Sequence, residues 1–149
     1  MTFKQKVYMA CLQLLEEKTN SLQIMLIDLK EGAGNEVKSS AVDKHETSRA
    51  MAQLEQEKIG GQLSVLQTQR HDLLRAGFAV HPHQILTGSL IKTNNGYLYL
   101  AIPLGKIKVD DITVFALSSL SPLGLKLLHL KPNEIAEING VKYLVEAIE

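Results

Sequence analysis

The sequence predicts an α+β protein in which an antiparallel helical hairpin, a coiled coil, precedes a small antiparallel sheet domain with one short helix. Two stretches with apolar residues at three- and four-residue steps flank a polar segment, residues 30–49, which is expected to form the turn of the hairpin. From Ile85 onward the pattern changes to short runs rich in β-branched and aromatic residues between turn residues. A chain of 149 residues allows one compact domain or two small ones, and this change of pattern favours two.

The first helix is predicted over residues 3–30 because its apolar residues form one narrow row. The row has the spacing of a coiled-coil seam, is broken only at Lys18, and consists of Val7, Cys11, Leu14, Leu22, Met25 and Leu29. Gly32 and Gly34 follow and are expected to end the helix. An arm of about 29 residues would be about 43 Å long, which is more than a compact domain of this size needs. The tip of the hairpin is therefore the first place to look for function.

The second helix has an uncertain start, because Ser39, Ser40 and Asp43 are all acceptable N-caps. Its row consists of Ile59, Leu63, Leu66 and Leu73, preceded by the more ambiguous Ala50, Met51 and Leu54. Gly60 and Gly61 lie inside this helix, where each costs about 1 kcal/mol relative to alanine. We expect them to mark a close approach of the two arms; the alternative is a hinge.

The charges are balanced along the chain. Lys and Arg number 16 and so do Asp and Glu, with 10 of each through Gly77 and 6 of each after it. The sequence therefore predicts no basic surface of the kind that neutralises phosphates, and it favours a folded protein partner over direct nucleic-acid binding.

Cys11 is the only cysteine and falls on the apolar row of the first arm, where a small buried hydrophobe is expected. A single cysteine excludes a disulfide framework and a zinc site with several thiolates. The N-terminus has no apolar run long enough for a signal peptide, and no segment approaches the length of a membrane span. These observations predict a cytoplasmic protein.

A linker at residues 78–86 is predicted between hairpin and sheet. Pro82 restricts it, and His81 and His83 on either side are expected to be solvated, because the sequence offers no further ligands for a metal. The strands that follow are separated by turns at residues 94–96, 110–111 and 139–140, two of which contain the Asn-Gly step of tight hairpins. Ser121 is expected to cap a short helix with Pro122 in its first turn.

The last 29 residues resemble the end of the C-terminal domain of Gre-type transcription elongation factors. The matching residues are Ser121, Pro122, Leu123 and Gly124, then Leu127 and Leu128, then EIAEI, the Asn139-Gly140 turn and YLVEAI. The resemblance covers most of the chain in architecture and is close in sequence from about Gly88 onward. It implies an FKBP-like fold for residues 87–149, behind a coiled-coil hairpin over residues 1–77 with its tip near residues 31–46.

The resemblance implies RNA polymerase as the partner. Gre-type factors bind the polymerase with the C-terminal domain at the rim of the secondary channel, and the coiled coil passes down the channel toward the active centre. Ser121, Pro122, Leu123 and Gly124 would be the docking residues; the alternative is that they only form the helix start and its core face. No catalytic residues of its own, membrane, small-molecule substrate or sequence-specific nucleic-acid contact is expected.

Two acids at the tip match the pair that, in cleavage-stimulating members, helps to hold the second catalytic Mg²⁺ of the polymerase. They are Asp43 and Glu46, which are three residues apart and would share one helical face. The same pair also fits a capping box, which needs no metal. Thr47 departs from the family pattern, which puts transcript cleavage in doubt more than channel binding. Glu31 and Glu36 are alternative tip acids, and no cofactor is expected beyond Mg²⁺ shared with the polymerase.

A second hypothesis needs no polymerase. The hairpin would be a coiled-coil interaction module that pairs with itself or docks on another protein, and the tip acids would only cap a helix. An enzymatic function is less favoured, because the sequence has no Walker or Rossmann glycine pattern and no nucleophile placed beside the neighbouring His71 and Asp72.

Overall fold

The computed structural model describes the backbone of residues 1–35 and 42–149, and the side chains of residues 1–32 and 46–149. Two long helices precede a sheet with one short helix, which confirms the predicted α+β class. The elements are α1 (Phe3–Asn35), α2 (Val42–Ala76), β1 (Leu90–Thr93), β2 (Gly96–Leu100), β3 (Gly105–Val109), β4 (Ile112–Leu117), α3 (Pro122–Leu127), β5 (Ile135–Ile138) and β6 (Val141–Ile148).

The chain divides into two compact units. The helical unit consists of Leu14–Gln69, and the sheet unit consists of Met1–Gln13 together with Arg70–Glu149. The first residues of α1 and the last residues of α2 therefore belong with the sheet. The predicted boundaries at residues 77 and 86 stay a prediction of domain organisation.

In the helical unit, α1 continues to Asn35, so the prediction that Gly32 and Gly34 end it was wrong. A glycine inside a helix costs only about 1 kcal/mol, and it ends a helix reliably only when it adopts the left-handed conformation. The predicted close approach at Gly60 and Gly61 was also wrong, because a Cβ built on either residue would meet nothing within 4 Å.

In the helical unit the apolar row of α1 agrees with the predicted one at Leu14, Leu22 and Leu29, which are half-buried, and differs at other positions. From Leu15 onward its less exposed residues follow a 4-3-4-3 spacing and are Leu15, Thr19, Leu22, Leu26 and Leu29. Thr19 takes the place in the row that was predicted for Lys18, and its hydroxyl donates to the Leu15 carbonyl at 2.8 Å. Met25 is exposed. In α2, Ile59 and Leu66 are buried as predicted, whereas Met51 and Leu54 are exposed.

The six strands form one sheet in the order β3-β4-β2-β1-β6-β5. Every neighbouring pair is antiparallel except β2 and β4, which are parallel with Tyr97 opposite Val114. The sheet is therefore mixed rather than antiparallel throughout. The parallel pair arises because β3 lies at the outer edge, so that β4 returns between β3 and β2.

The tight turns follow the predicted chemistry with one difference. Asp110 and Asp111 both have positive φ, as do Asn139 and Gly140, which is the backbone of a type I′ hairpin. At residues 94–96 positive φ occurs only at Gly96, and the Thr93 hydroxyl closes the loop by accepting from the Asn95 amide and donating to the Gly96 carbonyl.

Both faces of the sheet are packed within the sheet unit. On one face a buried cluster surrounds Leu127 of α3 and consists of Ile85, Ile91, Leu98, Leu100, Leu117, Leu127, Ala136, Val145 and Ile148. On the other face the start of α1 contacts the strands: the rings of Phe3 and Tyr97 lie 5.1 Å apart, and Lys6 forms an ion pair with Asp110.

Candidate interaction surfaces

The start of α3 is held by a network around Ser118 and Ser121. The Ser121 hydroxyl accepts from the Gly124 amide at 3.0 Å and donates to the Ser118 carbonyl at 2.7 Å. Pro122 follows in the first turn, where its missing N–H is not needed. The predicted N-cap at Ser121 is therefore confirmed, and it fixes the direction in which the chain enters α3.

Gly124 is required by this same network. A Cβ on Gly124 would lie 2.1 Å from the Ser118 carbonyl oxygen, a distance that the backbone there cannot relieve without moving. Leu123 is half-buried and packs against the core of the sheet. Three of the four predicted docking residues thus have structural roles, and Pro122 is the exposed one. The docking role of all four stays a prediction.

The sequence analysis did not identify two exposed leucines beside Pro122. Leu120 is 81% exposed and Leu125 is 58% exposed. They occupy the positions before the N-cap and four residues into the helix, where apolar side chains often pack together as a hydrophobic staple. The spacing of a hydrophobic staple is visible in the sequence, but the exposure of the two leucines is not. We call Leu120, Pro122 and Leu125 the α3 surface.

The α3 surface adjoins a cavity of about 430 Å³ in the sheet unit. The cavity is lined by Leu120 and by the neighbouring Ser118 and Ser119. The end of α2 supplies one acid and one base, Asp72 and Arg75. The Leu120 amide donates to the Ser118 hydroxyl at 3.1 Å, which holds the exposed leucine at the rim. A rigid apolar projection beside charges of both signs is suited to binding a protein surface.

The predicted tip acids lie partly outside the described residues. Because α2 begins at Val42, Asp43 falls within its first turn and not at the N-cap. The Asp43 side chain and the whole of Glu36 lie outside the described residues, while Glu31 and Glu46 are exposed. Three-residue spacing on a helix places Asp43 and Glu46 on one face. Their role toward Mg²⁺ stays a prediction.

Within the described side chains, no group of three His, Cys, Asp or Glu residues is placed to hold a metal ion. His81 and His83 are both exposed and line a shallow cavity with Pro82 and Lys131.

In the sheet unit, the titratable side chains of Lys4, Cys11 and Tyr99 are buried. The Lys4 amine donates to the carbonyls of Ala79 at 2.5 Å and Glu149 at 3.2 Å, and burial lowers its pKa although the Glu149 charge opposes this. Burial raises the pKa of the Cys11 thiol to about 12 and also raises the pKa of Tyr99, whose hydroxyl has no hydrogen-bond partner among the described residues. Cys11 is thus the buried small residue that the sequence predicted. A thiol in this state is a poor nucleophile, because the thiolate is the reactive form.

No protein-family model and no curated protein sequence matches this chain. Among solved structures, one similar chain is the GreA factor homolog 1 (Gfh1) protein of Thermus thermophilus. It is 15% identical, the match covers 93% of this chain and 94% of that one, and the TM-score is 0.34. In the described part of the chain, no helix is both long and apolar enough to cross a membrane.

Proposed function

We propose that this chain is a cytoplasmic RNA polymerase-binding factor of the Gre-like class. Its sheet unit docks at the rim of the polymerase secondary channel, and its helical hairpin enters the channel to modulate elongation or transcript cleavage. The chain has no catalytic activity of its own in this scheme. Any chemistry at the tip belongs to the polymerase active centre.

The observation that carries the proposal is the loop from Ser118 to Gly124. It contains the four residues of the Gre-type motif, and its hydrogen bonds and the close approach of Gly124 leave it little freedom. The same loop holds Leu120 and Pro122 in solvent, where an apolar contact costs little ordering entropy on binding. A surface that is rigid and apolar before it meets its partner supports a role in docking.

The tip would act through its carboxylates. Mg²⁺ is bound by carboxylate oxygens and water, commonly together with substrate phosphates. Asp43 and Glu46 on one helical face could complete the shell of an ion that the polymerase already holds, and so position a water molecule for hydrolysis of backtracked RNA. If these acids only shape the tip, the factor would still occupy the channel and would compete with cleavage factors.

Binding is tested by a pull-down with purified core RNA polymerase from the same organism. We expect the intact chain to bind and Leu120→Asp with Leu125→Asp to weaken binding at least tenfold, because two apolar contacts would be replaced by charges. Ile135→Asp is the matched control, since Ile135 is 56% exposed in the same unit but lies on β5. Circular dichroism confirms that each variant is folded.

Failure of the intact chain to bind would refute the proposal, and equal loss in the Ile135 control would refute the docking surface. If the chain binds, a cleavage assay on stalled complexes follows with Asp43→Ala and Glu46→Ala. Loss of stimulated cleavage with retained binding assigns the acids to Mg²⁺. Unchanged behaviour assigns them to the shape of the tip.

The second candidate function is an interaction module without a polymerase role. The exposed apolar residues of the helical unit, among them Met51, Leu54 and Val65, favour it. Sedimentation at micromolar concentration separates the two functions, because a stable dimer would keep the hairpin occupied whereas a monomer leaves it available for the channel.

A further inference from the structure

The two outer strands of the described sheet, β5 and β3, differ at their open edges. The tight hairpin that joins β5 to β6 makes Ile138 a hydrogen-bonded partner of β6, so the backbone of Glu137 points away from the sheet. The Lys126 amine of α3 donates to this Glu137 carbonyl at 2.6 Å. A side chain of α3 therefore occupies an edge carbonyl of β5.

The edge of β3 has no such cover among the described residues. The type I′ turn at residues 110–111 makes Val109 a hydrogen-bonded partner of β4, and the alternation of an antiparallel pair repeats this at Ile107. The backbone N–H and C=O groups of Lys106 and Lys108 consequently point away from the sheet. Apart from the ladder within the sheet, the described residues supply no hydrogen bond to either lysine. An extended peptide can add to such a row of donors and acceptors as a further strand.

The side chains of this edge define the chemistry of the peptide. Lys106 and Lys108 are exposed on one face of β3, and neither amine has an acidic partner among the described side chains. Asp110, the nearest acid along the chain, is already paired with Lys6 at 2.7 Å. Ile107 lies on the opposite face, where it is half-buried. A strand that matches this edge carries two acids on one face and, between them, an apolar β-branched residue on the other.

We propose that β3 binds an acidic, extended segment of a partner protein by antiparallel strand addition, with acids opposite Lys106 and Lys108 and an apolar residue opposite Ile107. Lysines at a sheet edge prevent pairing with the wrong strand, because they repel like charges. They exclude a second copy of β3, since lysines would meet lysines in a two-fold contact. An acidic strand instead gains ion pairs beside its backbone hydrogen bonds. This surface does not depend on polymerase binding.

Fluorescence anisotropy of a short labelled peptide, titrated with the full chain, tests the proposal. The peptide carries Glu-Val-Glu at its centre. We expect a dissociation constant between about 10 μM and 1 mM, because the interface is small. A peptide with Lys-Val-Lys at the same place should bind at least about tenfold more weakly. Absence of saturable binding of the Glu-Val-Glu peptide up to about 1 mM would overturn the proposal, and the lysines would then serve only to block the edge.

A reciprocal exchange of charge locates the binding on β3. Lys106→Glu with Lys108→Glu should weaken binding of the Glu-Val-Glu peptide at least about tenfold and make the Lys-Val-Lys peptide the preferred one. Lys58→Glu with Lys92→Glu is the matched control, because it makes the same change of net charge at exposed positions outside β3. At physiological ionic strength its dissociation constant should stay within about twofold of the original. Equal effects of the two double variants would overturn the assignment to β3.

Methylation of the peptide backbone tests the hydrogen bonds without altering the protein. In an antiparallel pair with β3, the N–H groups of the two glutamates point at the edge, whereas that of the central valine points to solvent. N-methylation of both glutamates should weaken binding at least about tenfold, because two donors are lost and the methyl groups stand in their place. N-methylation of the valine should change binding by less than about threefold. Equal losses at the two kinds of position would overturn strand addition.

Discussion

The helical unit buries its apolar side chains along one narrow row, whereas the sheet unit buries them on both faces of a six-stranded sheet. In the helical unit Met25, Met51 and Leu54 remain exposed beside the row. In the sheet unit the turns at Asp110 and Asn139 are fixed by left-handed backbone, and a capped helix covers one core. The sheet unit therefore depends on specific close contacts, while the helical unit tolerates changes around its row.

The two units can be followed separately in unfolding experiments. The chain has four tyrosines and no tryptophan, and Tyr8, Tyr97, Tyr99 and Tyr143 all lie in the sheet unit. Tyrosine fluorescence therefore reports the sheet unit. Far-ultraviolet circular dichroism is dominated by α1 and α2 and reports mainly the helical unit.

The largest effect is expected from Gly124→Ala. The added methyl would stand 2.1 Å from the Ser118 carbonyl oxygen, so α3 must shift from the loop that caps it. We expect the free energy of unfolding of the sheet unit to fall by about 3 kcal/mol or more. Urea unfolding followed by tyrosine fluorescence measures it. A loss below about 1 kcal/mol would show that the loop can move, and the contrast between the units would weaken.

A glycine-to-alanine substitution in the helical unit should raise the free energy of unfolding instead of lowering it. Gly60→Ala adds its methyl to open space on an exposed helix, so it should stabilise the unit by about 1 kcal/mol through helix propensity alone. Urea unfolding followed by circular dichroism measures the gain. Tyrosine fluorescence is the internal control and should report an unchanged sheet unit. A destabilisation would instead indicate that Gly60 serves as a hinge.

Local chemistry explains what the sequence could predict. The turn at residues 110–111 and the cap at Ser121 were predicted because turn and cap residues act on their immediate neighbours. The class of the fold followed from the change of period at Ile85. Leu120 and Leu125 of the α3 surface were not predicted, because their exposure depends on what the rest of the chain brings near them.

What the sequence analysis missed depends on contacts that the local sequence pattern does not determine. The parallel pairing of β2 with β4 depends on β3 lying outermost, which no local pattern encodes. The row in α1 was misassigned at Lys18 because a threonine can enter such a row when its hydroxyl bonds to its own helix, as Thr19 does.

The smallest effect concerns the Lys4 amine, which joins the start of α1 to the rest of the sheet unit. Lys4 is buried against the Ala79 and Glu149 carbonyls, and burial lowers its pKa from the ordinary value of 10.5. In the unfolded chain the amine keeps its proton to higher pH, so the unfolded state binds more protons between the two pKa values. The free energy of unfolding should therefore rise with pH as it approaches 10.5. Lys4→Met keeps the apolar stem and should remove this rise, as measured by thermal unfolding at increasing pH. Lys6→Met, which removes an exposed amine from the same helix, controls for the lost charge; equal slopes in the two variants would contradict a role for burial at Lys4.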